Sequence, residues 1–123
     1  MDIALWIVQV LLALAFLAAG ALKLTQPKEK LDAQLKWPED FSLSQIRLIG
    51  AVELLGAIGL ILPAVTDIVP VLTAWAALGL AVLMAGAVWT HRRREEPQGM
   101  AVAGALLLLA AFVAWGRFGP DSF

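Results

Sequence analysis

Apolar residues fall into four long blocks separated by polar stretches. The blocks cover approximately residues 3–22, 46–62, 69–89 and 99–116. A helix needs about 20 residues to cross the hydrocarbon core of a bilayer, and each block comes close to that length. The pattern predicts an all-α integral membrane protein in which residues 1–123 form a single four-helix transmembrane bundle.

Proline and glycine mark where these helices should begin and end. We expect the second helix to stop at Pro63 and the fourth to end at Gly119-Pro120. Pro70 is expected in the first turn of the third helix, where a missing N–H is harmless.

The connections between the blocks differ in character. Residues 23–45 form a long polar segment, whereas residues 63–68 and 91–98 are short turns. Within the long segment, Pro27 to Lys36 places Leu31 and Leu35 on one side of a helix, and Trp37 follows. This pattern predicts a short interfacial helix at headgroup level between helices 1 and 2. The alternative is a solvated loop.

The composition supports the membrane assignment and excludes several kinds of chemistry. Apolar residues make up 61% of the chain and charged residues 15%, against about 45–50% and about 25% in soluble domains. Cysteine is absent, which excludes disulfides, thiol catalysis and thiolate metal sites. No broad basic surface suggests nucleic acid as a partner. The first block lacks a basic start and ends in Lys23, so it is interpreted as a retained helix rather than a signal peptide.

Basic residues predict the orientation. With four spans, the first and third connections share one face and both termini share the other. The basic residues of the first face are Lys23, Lys28, Lys30, Lys36, Arg47, Arg92, Arg93 and Arg94. Only Arg117 lies on the terminal face. The positive-inside rule therefore predicts a multi-pass protein of the inner (plasma) membrane with connections 1 and 3 cytoplasmic and both termini outside.

Small residues predict the packing faces, because lipid provides no hydrophobic drive between helices and close backbone contact replaces it. The predicted faces are Gln9, Ala13, Phe16, Gly20 and Lys23 in helix 1; Gly50, Glu53, Gly56, Ala57 and Leu60 in helix 2; Trp75, Gly79, Val82, Gly86 and Trp89 in helix 3; and Gly104, Leu108, Ala111 and Trp115 in helix 4. The tryptophans near span ends are interpreted as interfacial anchors, with a tryptophan-lined pocket as the alternative.

Three polar residues on the same predicted side of the membrane form the first candidate site. Glu53 lies inside the second span, where a carboxylate is costly and needs a partner, and Lys23 is the natural one. His91 ends the third span on that side, and imidazole is the side chain that most often responds to protons near neutral pH. Lys23, Glu53 and His91 are therefore a candidate ligand-binding or proton-responsive cluster, although a Lys–Glu pair that only sets helix register is the alternative. With one histidine, one glutamate and no cysteine, this cluster offers poor ligands for zinc or copper, so no metal site is predicted.

Gln9 and Arg117 form a secondary polar site at the opposite end. Asp2 shares that end, so an Arg117–Asp2 pair is one option, and snorkelling of Arg117 to the headgroups is the default.

An ordered set of short motifs resembles the DoxX-like family, in its small four-helix branch. The motifs are Gly20-Ala21-Leu22-Lys23-Leu24, Trp37-Pro38, Ile49 to Leu60, Leu62-Pro63, Met84 to Ala87, His91-Arg92-Arg93, Glu95-Glu96 and Ala114 to Arg117. The resemblance covers nearly the whole chain and implies a four-helix membrane bundle. It implies function loosely: the family name comes from a membrane subunit of a thiosulfate:quinone oxidoreductase, and other relatives resemble components of oxidative-stress complexes or act in membrane-protein assembly. The motif residues that carry over are Lys23, Glu53, His91 and Arg117.

Three functions remain open at the level of sequence. No nucleophile-and-base arrangement is visible, so whether the protein is an enzyme is also open. The first is a non-catalytic accessory subunit or assembly factor, with a protein partner docked at the charged cytoplasmic connections. The second is the membrane subunit of a quinone-linked oxidoreductase that binds a lipophilic ligand, with a quinone as its cofactor, near Glu53. The third is a small proton-coupled carrier. Membrane lipids are expected partners, and Ala101 and Ala105 on helix 4 offer a surface for an oligomer.

Overall fold

The computed structural model describes residues 2–30 and 41–122, and the fold in these ranges is entirely helical. The four helices are α1 (Asp2–Thr25), α2 (Leu43–Thr66), α3 (Leu72–Arg93) and α4 (Pro97–Phe118). Each is long and apolar enough to cross a membrane. The prediction of an all-α four-helix membrane bundle is confirmed. The short interfacial helix predicted for residues 27–36 lies mostly in residues 31–40, outside the described residues.

Helix α2 is longer at both ends than the apolar block predicts. At its start, the Ser42 hydroxyl accepts a hydrogen bond from the Gln45 amide at 3.2 Å, and the Gln45 side chain accepts one from the Ser42 amide at 2.9 Å. This capping box satisfies two amides that would otherwise lack partners. The prediction that α2 stops at Pro63 is wrong, because proline in a last turn removes only one backbone hydrogen bond. Asp67, in the left-handed conformation, ends the helix instead.

Helix α3 begins later than predicted. Pro70 lies in the turn before the helix rather than in its first turn, because Val69 has a positive φ of 45° and the Leu72 amide donates to the Val69 carbonyl. Helix α4 begins at Pro97 and is capped by Gly119, whose amide donates to the Trp115 carbonyl at 3.0 Å, so its predicted end is correct.

The helices form a ring in chain order. Helix α1 packs closely on α2 and α3 packs closely on α4, while α1 and α4 share the fewest contacts of the four neighbouring pairs. In the first pair, the predicted faces are largely correct, with Gln9, Phe16, Gly20 and Lys23 buried in α1 and Gly50, Glu53, Ala57 and Leu60 buried in α2.

The faces predicted for α3 and α4 are wrong. Helix α3 buries Thr73, Ala74, Ala77, Leu80, Ala81 and Met84, and helix α4 buries Ala103, Ala110, Val113, Ala114, Gly116 and Arg117. Trp75, Val82 and Trp89 are instead 57–66% exposed, and a methyl group added at Gly79 or Gly86 would meet nothing within 4 Å. Alanine is small enough for close approach, so the alanine-rich side forms the interface and the glycine side faces outward.

The exposed tryptophans lie near helix ends, as expected for interfacial anchors. Trp75 at the start of α3 contacts Phe118 at the end of α4 edge to face, with ring centroids 5.1 Å apart. Trp37 lies outside the described residues.

Candidate functional site

The two ends of the bundle differ in the segments that they carry. The connection end carries the α1–α2 and α3–α4 connections, and the terminal end carries both chain termini and the α2–α3 turn. Polar side chains are buried at both ends.

Lys23 and Glu53 form a buried ion pair toward the connection end. The Lys23 ammonium lies 2.7 Å from a Glu53 carboxylate oxygen, and the two residues are only 7% and 3% exposed. Glu53 lies ten residues into α2, about 15 Å along the helix. A lone charge at such depth is costly, so the pairing is what makes a carboxylate tolerable there.

Two glycines bring the backbones of α1 and α2 close enough for this pair. A methyl group added at Gly20 would lie 2.7 Å from the Gly50 carbonyl oxygen, and one added at Gly50 would lie 2.8 Å from the Cβ of Lys23. Only hydrogen fits in these places. Arg47 strengthens the same junction, because its guanidinium donates a hydrogen bond to the Lys23 carbonyl.

The ion pair lies on the wall of an open cavity of about 640 Å³ to which all four helices contribute. Its polar lining residues are Lys23, Glu53, Thr90, His91 and Gln98, and the apolar ones include Ala19, Ile49, Leu83, Met84, Val102 and Leu106. The three residues of the predicted cluster therefore share one cavity. Gly86 and Val102, which lie within the spans of α3 and α4, line this open cavity and are exposed.

His91 is fixed at this cavity by the α3–α4 turn. Its Nδ1 lies 2.9 Å from a Glu96 carboxylate oxygen, and the other oxygen of Glu96 lies 3.4 Å from Nε of Arg94. The ring packs directly on Gly99, where an added methyl group would collide with it. Desolvation alone would raise the pKa of Glu96, but hydrogen bonds from His91 and Arg94 hold this pKa below its ordinary value. Glu96 is therefore a carboxylate at neutral pH when it holds His91.

A second buried network closes the terminal end. Arg117 is 2% exposed, and its Nε donates to the Gln9 side-chain oxygen at 2.7 Å. Its Nη1 donates to Asp2 at 2.6 Å and to the Asp121 carbonyl at 2.9 Å. Gln9 in turn donates to the Leu60 carbonyl of α2 at 2.8 Å. The default expectation that Arg117 snorkels to the headgroups is wrong, since it joins α1, α4 and the C-terminal segment instead.

Several residues of these sites were missed by sequence reasoning. Glu96 holds His91 only because Glu95 adopts a positive φ of 56° and turns the chain back, and the Asp121 and Leu60 partners are backbone carbonyls that no side-chain pattern reveals. Among the residues that the structure describes, Thr73 is also buried, with a hydroxyl that makes no hydrogen bond.

No cluster of potential metal ligands is found in the described ranges: within residues 2–30 and 41–122, no group of three or more His, Asp or Glu side chains is placed to hold a metal ion.

Four apolar spans, a cavity among them and a buried ion pair on its wall define a small multi-pass membrane protein. The chain belongs to the DoxX-like family, whose model matches residues 7–113. No curated protein and no solved structure shows significant similarity to it.

Proposed function

We propose that this protein is a non-catalytic membrane component, an accessory subunit or assembly factor, that binds a lipophilic small molecule in the cavity at the connection end. The observation that carries the proposal is the shape and chemistry of that cavity. Ligand pockets typically enclose about 300–1,000 Å³ and combine apolar walls with a few convergent polar groups. The cavity of about 640 Å³, with Lys23, Glu53 and His91 among mostly apolar lining residues, fits this description.

A quinone matches this cavity, because it joins a polar ring with two carbonyl groups to a long apolar tail, and the cavity likewise has both polar and apolar lining residues. With a quinone in the cavity, the protein would serve as the membrane subunit of a quinone-linked oxidoreductase. The polar residues would then hold the ring and the apolar lining the start of the tail. The exposed positions of Gly86 and Val102 favour this class of ligand, because a molecule dissolved in the bilayer reaches the cavity directly from the side.

The terminal end argues against the alternative of a proton-coupled carrier. A carrier exposes its site alternately to both sides of the membrane. Here Arg117, Gln9 and Asp2 tie α1 to α4 at the terminal end, and Leu5 packs against Gly116 beside them. Opening that end would break the buried hydrogen bond between Arg117 and Gln9 and the ion pair between Arg117 and Asp2. The arrangement favours a site that is reached from one side.

The ligand-binding proposal is tested by filling the cavity. Ala87→Phe places a phenyl ring in the cavity, whereas Ala85→Phe adds the same ring two residues away at an exposed position that does not line it. We expect wild type and Ala85→Phe, purified in mild detergent, to retain a small lipophile detectable by mass spectrometry, and Ala87→Phe to lose it. Glu53→Gln, which leaves the Lys23 charge on the cavity wall without its partner, should also lose it.

A different result would replace the proposal. If a protein partner co-purifies with wild type and no small molecule does, the accessory role stands alone and Lys23–Glu53 is a structural pair. If Ala87→Phe retains the lipophile as well as Ala85→Phe does, the molecule binds elsewhere.

We further propose the orientation that the basic residues favour: connection end cytoplasmic, terminal end outside, in an inner membrane. The absence of cysteine makes the test simple. Cells carrying Asp67→Cys should react with a membrane-impermeant maleimide, and cells carrying Glu95→Cys should react only after lysis. The reverse labelling pattern would invert the orientation.

A further inference from the structure

We propose that the cavity selects amphiphiles whose polar end is uncharged, with hydroxyl or carbonyl oxygens, and excludes anionic and cationic amphiphiles of the same chain length. This inference rests on the proposed function, because it names the chemical class of ligand for the same cavity. It follows from how the charges around the cavity are already used.

The charges on the cavity wall compensate one another. The ammonium of Lys23 and the carboxylate of Glu53 are 2.7 Å apart, and their side chains are 9% and 4% exposed. An anionic headgroup would have to draw Lys23 away from Glu53, and a cationic one would have to draw Glu53 away from Lys23. Either exchange leaves one buried charge without its partner, which is strongly unfavourable in apolar surroundings. The cavity therefore discriminates against charged ligands because binding them leaves a buried charge unpaired.

His91, the third titratable group at the cavity, is compensated in the same way. Its Nδ1 is engaged by Glu96, and Glu96 is also paired with Arg94. An incoming charged group would compete with these contacts as well. Among the described residues that line the cavity, each charged or titratable side chain therefore already has a partner of opposite charge.

Uncharged hydrogen-bonding groups remain for a ligand. The amide of Gln98 lines the cavity, and the Thr90 hydroxyl, which donates to the Gly86 carbonyl at 3.0 Å, can still accept a hydrogen bond. With Nδ1 of His91 held by Glu96, its Nε2 is the ring nitrogen left to meet a ligand. The Thr90 oxygen and Nε2 of a neutral His91 ring can accept from a ligand hydroxyl, and the Gln98 amide can donate to a ligand carbonyl. The apolar lining matches an alkyl or isoprenoid chain.

The test compares three amphiphiles with one chain: dodecanol, dodecylsulfonate and dodecylammonium. Native mass spectrometry of the full-length protein in phosphatidylcholine nanodiscs, where no uncharged detergent competes for the cavity, measures retention of each at about pH 8. Cavity binding is the part that Ala87→Phe abolishes, which separates it from anions held at the exposed Arg92 and Arg93. We expect wild type to retain dodecanol about tenfold more than either ion.

Removing one charge of the pair should change this preference predictably. Glu53→Gln leaves Lys23 to attract an anion, so dodecylsulfonate should gain about tenfold, and Lys23→Gln should give the same gain for dodecylammonium. Asp67→Asn is the matched control, because it removes one carboxylate at the terminal end and asparagine tolerates the left-handed conformation there. Its preference should equal that of wild type.

The outcomes separate the inference from the proposed function. Equal cavity retention of dodecanol and either ion by wild type overturns the selectivity inference while leaving ligand binding intact. If none of the three binds the cavity, the proposed function fails. If a single variant does not fold, the wild-type comparison still decides the question.

Discussion

Replacing Lys23 with methionine should reduce the free energy of unfolding by about 3–5 kcal/mol, because it leaves the Glu53 carboxylate buried without its partner. Lys30→Met removes the same charge from an exposed position and should change it little. Thermal unfolding of both variants in detergent, followed by helical circular dichroism, measures the difference. Equal midpoints for the two variants would mean that Glu53 is not held by Lys23.

The double variant Lys23→Met/Glu53→Leu should recover most of that loss. Replacing both members of a buried ion pair by apolar residues of similar volume is often neutral or stabilising. A stable double variant that no longer retains the lipophile would show that the pair is kept for ligand binding rather than for stability. Here stability and retention are measured on the same preparation.

Gly20→Ala should destabilise the bundle by about 1–3 kcal/mol, the usual cost of overpacking. The added methyl group would lie 2.7 Å from the Gly50 carbonyl oxygen and 2.9 Å from the Leu54 amide nitrogen, so the two backbones must move apart. That movement also pulls Lys23 from Glu53. The measurement is the unfolding midpoint in detergent, together with lipophile retention.

Gly79→Ala is the matched control for Gly20→Ala. It makes the same substitution in a helix, but the methyl group meets nothing within 4 Å. Because alanine favours helix by about 1 kcal/mol over glycine, this variant should be unchanged or slightly more stable. Equal destabilisation of the two variants would contradict the close α1–α2 contact.

The sequence predicts the α1–α2 half of the bundle well, because two independent signals coincide there. Gly20 and Gly50 mark the close approach, and the intramembrane Glu53 requires a partner that only a nearby Lys23 supplies. The α3–α4 half carries conflicting signals. Glycine and alanine stripes lie on different sides of α3, and only the neighbouring helices decide which stripe is buried.

The residues of the candidate site were likewise only partly predictable from the sequence. The members of the Lys23, Glu53 and His91 cluster could be named from their positions near one end of three spans. Glu96 could not, because its approach to His91 depends on the backbone conformation of Glu95. The burial of Arg117 could not be foreseen either, since it depends on three acceptors in two segments, α1 and the C-terminal residues, and one of them is a backbone carbonyl.

The Arg117 network also sets an order for biogenesis. Gln9 and Arg117 are 108 positions apart in the chain, so this contact cannot form until the last helix has left the ribosome and entered the membrane. The Lys23–Glu53 hairpin needs only the first half of the chain. Two hairpins inserted one after the other, α1–α2 and α3–α4, would therefore dock late, and Arg117 near the end of α4 would then fasten α1 in place.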